Sequence, residues 1–237
     1  YGKGFDINAF INKQDTAKES ENTFVPNHSF ENFPIHQKLK NIILKNGYTE
    51  PTPIQDKIIP YILEIIKDLE IQTVLDGFSG STRVSQAFAQ AGYDVTSSDI
   101  AQWSEICAKC FLLHKKDKEY YQEILNQLNS LKGYNGWFTA HYGGDENMKV
   151  KMPFQKKNTR KLDAIRDKIE ELNLNDIDKA VILTSLLFAL DTVDSTLGHF
   201  SSYLSSWSDR SYKDLVLKLP NLQKTKGNHK VMRGDIF

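Results

Sequence analysis

The stretch Val74-Leu-Asp-Gly-Phe-Ser-Gly-Ser-Thr-Arg-Val-Ser85 sets an acid, Asp76, a glycine-bearing turn and the start of a helix in immediate succession. A buried strand feeding such a turn makes a cradle for a ligand. Gly80 lets backbone approach it, and the first amides of the following helix have no partners within the helix. About twenty residues further on, Asp99 closes the next strand. In nucleotide-binding α/β folds an acid at that spacing takes the two ribose hydroxyls. A nicotinamide fingerprint is poorly matched, because the turn has Gly77 and Gly80 but no third glycine. A phosphate loop of the Walker A type is not supported either, because no lysine stands between Gly77 and Thr82.

These residues need elements to hold them. Residues 72–76 read as a buried strand. Residues 82–91 read as a helix with Val84, Ala87 and Phe88 inward, closed by Gly92. Residues 93–96 form a second strand that ends at Ser98-Asp99, and residues 102–114 a second helix. Strand, helix, strand, helix is the opening of a parallel α/β sheet. The alternation then stops. Residues 118–131 are helical, and residues 133–158 are irregular and rich in Gly, Tyr, Trp and Lys. Two strong helical patterns follow at 159–172, carrying Leu162, Ile165, Ile169 and Leu172, and at 176–192, apolar enough for a core helix. A short helix at 201–207 and strands at 215–219 and 230–233 complete the reading. Residues 117–213 are therefore expected to be a helical insertion in an α/β sheet.

Upstream, residues 1–29 are polar and weakly periodic, and are expected to form a loose arm. Ile35, Leu39, Ile42 and Ile43 recur at helical spacing, with Gly47 where a left-handed C-cap would sit. A second helical pattern over residues 54–69 contains Pro60, which predicts a kink or a break.

The turn at Asp76 resembles motif I of the class I methyltransferases, D-x-F-x-G-x-G. Asp76, Phe78 and Gly80 match, and Thr82 stands where the last glycine would be. Ala91-Gly-Tyr-Asp-Val-Thr-Ser-Ser-Asp99 is similar to the family's second strand and ribose-binding acid. Gly136-Trp-Phe-Thr-Ala-His-Tyr-Gly-Gly144 and Arg160-Lys-Leu-Asp-Ala-Ile-Arg166 resemble the insertion of the Dam-like (D12) N6-adenine DNA methyltransferases, where the target-recognition region lies. Arg233-Gly-Asp235 is similar to the family's G-D step. The resemblance covers about residues 70–237, within a domain expected to span 67–237. It implies a partial class I methyltransferase (Rossmann-like) sheet, S-adenosylmethionine as cofactor and double-stranded DNA with an adenine target as partner. Phe78 and Gly80 would then line the methionine end of the cofactor beside Thr82. Asp76 would fix the turn and face the cofactor's amino group, Asp99 with Ile100 would hold the ribose side, and Asp235 with Ile236 the adenine.

The family's catalytic tetrapeptide, Asp/Asn-Pro-Pro-Tyr/Phe, does not occur: the seven prolines are Pro26, Pro34, Pro51, Pro53, Pro60, Pro153 and Pro220. In that group its aromatic ring stacks on a flipped base. No catalytic residue is therefore assigned. Tyr1 and the strand and turn of residues 231–237 read as cuts in a longer reading frame, and the expectation is a chain that binds the methyl donor without transferring it.

A second signature precedes the first. Gly47-Tyr-Thr-Glu-Pro-Thr-Pro-Ile-Gln55 resembles the Q motif of DEAD-box RNA helicases, with Phe30 where that family has an aromatic that stacks on adenine. The segment 30–66 implies an N-terminal helical segment of helicase origin. Its phosphate-binding half is missing, so ATPase chemistry is not expected. The competing function is a non-catalytic nucleotide-binding fragment.

Lys+Arg and Asp+Glu both number 30, so contact with nucleic acid has to come from a local patch. Lys149, Lys151, Lys156, Lys157, Arg160 and Lys161 form such a run beside Trp137, Phe138, His141 and Tyr142. It suits DNA phosphates, and it equally suits a solvated face. His199 and Trp207 fit either recognition or packing. Cys107, Cys110 and His114 share one helical face, one ligand short of a zinc set, and packing accounts for them better. With two cysteines, no signal peptide and no apolar run long enough for a bilayer, a soluble cytoplasmic protein is expected, with no membrane partner.

Overall fold

The computed structural model describes residues 62, 65, 66, 69–145, 152–197, 204 and 206–235. The chain divides into two compact units, Tyr1–Leu69 and Glu70–Phe237. The arm, the Q-motif-like segment with Phe30 and Gln55, Lys149, Lys151, His199 and Ile236 lie outside the described residues.

The second unit is a mixed α/β structure. Its elements in chain order are β1 (Thr73–Asp76), α1 (Arg83–Ala91), β2 (Asp94–Asp99), α2 (Gln102–Leu113), α3 (Lys118–Ser130), α4 (Trp137–Tyr142), β3 (Gly143–Gly144), β4 (Phe154–Gln155), α5 (Lys156–Glu171), α6 (Asp176–Asp191), a 3-10 turn (Asp209–Tyr212) and β5 (Lys230–Arg233). Three strands form a parallel sheet in the order β1-β2-β5. Val74 pairs with Val95 and Asp76 with Ser97, while Asp99 pairs with Arg233. The centre of the sheet is thus a strand of short polar residues whose one large aliphatic, Val95, is fully buried. β3 and β4 pair in a second, two-residue parallel ladder.

The main core lies among the helices. Tyr121, Leu125 and Leu128 of α3, Ile165 and Ile169 of α5, and Val181 and Ile182 of α6 are sealed from solvent. Asn175 starts α6 by accepting from the amides of Ile177 and Asp178 at 3.1 and 3.0 Å. Buried Asp178 in turn takes the Tyr121 hydroxyl at 2.7 Å. Cys107 and Cys110 of α2 join this cluster. Burial pushes the Cys110 thiol up to about 12. Among the described residues no helix is long and apolar enough to cross a membrane.

Several expectations need correction. Residues 215–219 are extended but are not a strand. Leu215 and Leu217 are buried and Val216 exposed, as alternation predicts. Their backbone, however, bonds to two asparagine side chains. Leu215 N–H donates to Asn158 Oδ1 at 2.9 Å, and Leu217 exchanges both its backbone groups with Asn129 at 2.8 and 2.9 Å. Residues 133–158, read as irregular, contain α4, both short strands and the first turn of α5. The expected helix at 201–207 falls partly outside the described residues, and the helical turn that is described comes later, at Asp209–Tyr212.

One edge of the sheet carries a pH dependence. Nδ1 of His229 accepts from Val95 N–H at 3.2 Å, tying the start of β5 to β2. Burial lowers the pKa of His229, against the opposing charge of Asp94. The bond requires a neutral Nδ1, so this contribution is complete above the unfolded value near 6.5 and is lost as pH falls through the lower folded value. The denaturation midpoint should therefore drop between pH 7.5 and 5.5. His114, also lowered by burial, acts in the same sense. A smaller drop in His229→Asn isolates the share of His229; an identical drop would count against it.

Candidate functional site

The turn after β1 and the end of β2 meet at the C-terminal edge of the sheet. Gly80 N–H donates to Asp99 Oδ2 at 2.9 Å, and Ala101 N–H to Asp99 Oδ1 at 2.9 Å. Those two amides, Ala101 foremost, hold the Asp99 carboxyl below its usual range. Ser79 N–H donates to Ser98 O at 3.1 Å, and Ser104 Oγ to Gly80 O at 2.6 Å, so the turn is pinned to β2 and to the first turn of α2. Gly80 has φ +46°, and a Cβ built there would meet nothing within 4 Å. The backbone at Gly80 therefore faces open space, the condition for close approach of a ligand.

The other predicted residues sit around this junction. Phe78, at the tip of the turn, is 72% exposed, and Ile100, just past Asp99, is 69% exposed. Two large apolar side chains are thus exposed within two residues of Gly80 and Asp99. Asp76 is turned to α1, where Ser85 Oγ donates to its Oδ2 at 2.6 Å; it braces the turn. Gly234 N–H donates to Asp99 O at 3.1 Å, which brings exposed Asp235 to the same edge of the sheet.

Thr82 is fully buried at φ +64°, a left-handed conformation unusual for a β-branched residue. Its Oγ1 donates to Ser81 O at 2.7 Å and accepts from Gln86 Nε2 at 3.0 Å. Relief of strain and loss of these contacts should nearly cancel in Thr82→Gly, leaving unfolding free energy within about 1 kcal/mol of the native chain. Thr82→Val keeps the strain, loses the hydroxyl and should cost about 1–2 kcal/mol. Urea titration of both variants checks the ordering.

The helical part supplies a second set. Asp163 of α5, 5% exposed, accepts from the amides of Gly136, Phe138 and Thr139 at 3.0, 2.8 and 3.0 Å and from Thr139 Oγ1 at 2.6 Å. One carboxylate thus caps α4 from a neighbouring helix, and the motifs at 136–144 and 160–166 are two halves of one packed unit. Sequence reasoning grouped them only by resemblance; an acid three residues after Arg160 gives no sign that it caps a distant helix. The basic run is largely engaged. Lys161 Nζ closes the C-terminal end of α3 through Asn129 O at 2.6 Å and Leu131 O. Lys157 pairs with Asp214 at 2.7 Å and Lys156 with Asp145 at 3.4 Å. Trp207 is buried against Gly144, a packing role.

The sequence family of D12 class N6 adenine-specific DNA methyltransferases matches residues 56–236, both sets of residues included. The chain belongs to this family. The match starts at residue 56, one past Gln55 and inside the segment 30–66 expected to be of helicase origin. A curated relative of this D12-class chain, the modification methylase StsI of Streptococcus sanguinis, is 27% identical over 163 residues, which cover 62% of the chain and 24% of the relative. The D12-class chain thus spans about a quarter of the length of that relative. No solved structure matches it.

Proposed function

We propose that the second unit is a partial Rossmann-like methyltransferase sheet with a helical insertion, and that it binds S-adenosylmethionine at the turn of residues 77–82. The observation that carries this reading is the 2.9 Å contact between Gly80 and Asp99, which joins a glycine turn to a carboxylate across neighbouring parallel strands. The amides of Gly80 and Ala101 fix the two Asp99 oxygens in place to accept from the ribose hydroxyls. Gly80 leaves room for the methionine part, Phe78 and Ile100 cover apolar surface, and Asp235 accepts from the adenine amine.

The bound cofactor supplies an electrophilic methyl group, and adenine N6 of DNA is the acceptor in the whole enzyme. The residues of this chain align that donor. Without the Asp/Asn-Pro-Pro-Tyr/Phe tetrapeptide they lack the family's acceptors for the target amine and the ring that this motif stacks on the target base. The 237-residue chain is therefore a donor-binding, catalytically incomplete methyltransferase. Calorimetry with S-adenosylmethionine and with ATP tests the first part: saturable binding of the methyl donor supports it, and preference for ATP overturns it. A filter assay for labelled methyl groups on DNA tests the second, since robust transfer by the purified chain would show it to be complete.

A further inference from the structure

The outward face of α4 is built as a shelf. Trp137 is 58% exposed, and its ring stacks on His141 with centroids 4.5 Å apart and planes 26° from parallel. Phe138 and Tyr142 brace it from below, edge-on at 5.0 Å and tilted at 5.6 Å. His141 Nδ1 lies 2.7 Å from Trp137 O, which fixes the imidazole against the indole. The helix carrying the shelf is itself rigidly held. Asp163 caps it, a Cβ on Gly136 would come within 2.6 Å of Asp163 Cγ, and one on Gly133 within 2.8 Å of the α5 backbone at Arg160. So much structure spent on presenting two flat rings to water is unusual for a surface helix.

The charge around the shelf names its occupant. Among the described basic residues of the segments that carry the shelf, Lys156, Lys157 and Lys161 are engaged elsewhere, which leaves exposed Lys132 and Arg160. Arg160 sits beside the shelf, its Nε donating to Asn135 Oδ1 at 2.7 Å, and no carboxylate among the described residues pairs with it. A planar aromatic surface with cations at its border fits an unstacked nucleobase, its π-face on the ring and its phosphates toward the cations. We infer that Trp137, backed by His141, is a stacking platform for an unpaired or displaced base of bound DNA, some distance along the chain from the cofactor turn. This inference rests on the DNA-methyltransferase reading.

The full chain labelled with 5-fluorotryptophan gives one fluorine resonance for each of Trp103, Trp137 and Trp207, assigned through single Trp→Phe variants. Titration with a short duplex containing one bulged adenine should shift the Trp137 resonance and leave buried Trp207 in place, and the fully paired duplex should shift it less. Trp137→Ala should weaken binding of the bulged duplex about tenfold and Trp137→Phe far less. Duplex binding that leaves the resonance unmoved overturns the inference while the cofactor reading stands. So does absence of DNA binding, or a resonance that responds to protein concentration alone, which would assign the shelf to a second copy of the chain. The methyl-donor reading fails separately, in calorimetry with S-adenosylmethionine alone.

Discussion

Asp163→Ala is expected to detach α4 from α5 and to cost about 3–4 kcal/mol. Four donors converge on this one buried carboxylate, and the substitution leaves them without an acceptor. Water can reach the amides of Gly136 and Phe138 at the end of an exposed helix, so those losses are partly made good. The amide and hydroxyl of Thr139 are buried, and each unsatisfied group there costs about 1–3 kcal/mol. Asn in place of Asp can keep its carbonyl toward Gly136 and Thr139, but must then turn its NH2 toward Phe138 N–H. The cost should fall to about 1–2 kcal/mol. Amide exchange at Phe138 and Thr139 reads the effect directly: protection lost in Ala, reduced in Asn, and unchanged for Ile182 in the core. Full protection at Thr139 in the Ala variant would mean that Asp163 is not the cap.

Asp99→Ala is expected to reduce affinity for S-adenosylmethionine by about 100-fold, because the two hydroxyl-to-carboxylate bonds proposed above are lost together with the anchor of the turn. Asp99→Asn should lose about tenfold, since one oxygen survives as an acceptor. Stability should show the same residue in its pH dependence. Its folded pKa is depressed by the Ala101 and Gly80 amides, so its contribution is whole above the unfolded value near 3.8 and disappears as pH falls through the folded one. Calorimetry at pH 7 and acid titration of both variants check the two claims. Wild-type affinity in Asp99→Ala would remove the carboxylate from the cofactor site.

What the sequence made legible depends on what kind of partner each residue has. β1, the turn, α1 and β2 could be read because a strand, a glycine turn and a helix are local objects, and the structure moves their ends by a few residues only. β5 was read correctly at Lys230–Arg233. The error at residues 215–219 is instructive. Period-two burial reports which side chains face the core; it does not say what bonds the backbone, and here asparagines on two helices replace a neighbouring strand. α4 was missed because six residues are too few to show a helical period, and because its cap lies 24 or more residues away on another element. The meeting of Gly80 with Asp99 was foreseen through the ordinary spacing of nucleotide sites; the buried, strained Thr82 was not, since only φ reveals it.

The contacts at Gly133 and Gly136 have a practical corollary for engineering the exposed side of α4. Residues facing α5 leave no volume for new side chains, so a randomised library confined to Trp137, Ala140 and His141 would vary the outer surface while preserving the scaffold. Diversity placed at the glycines would instead be spent on misfolded clones.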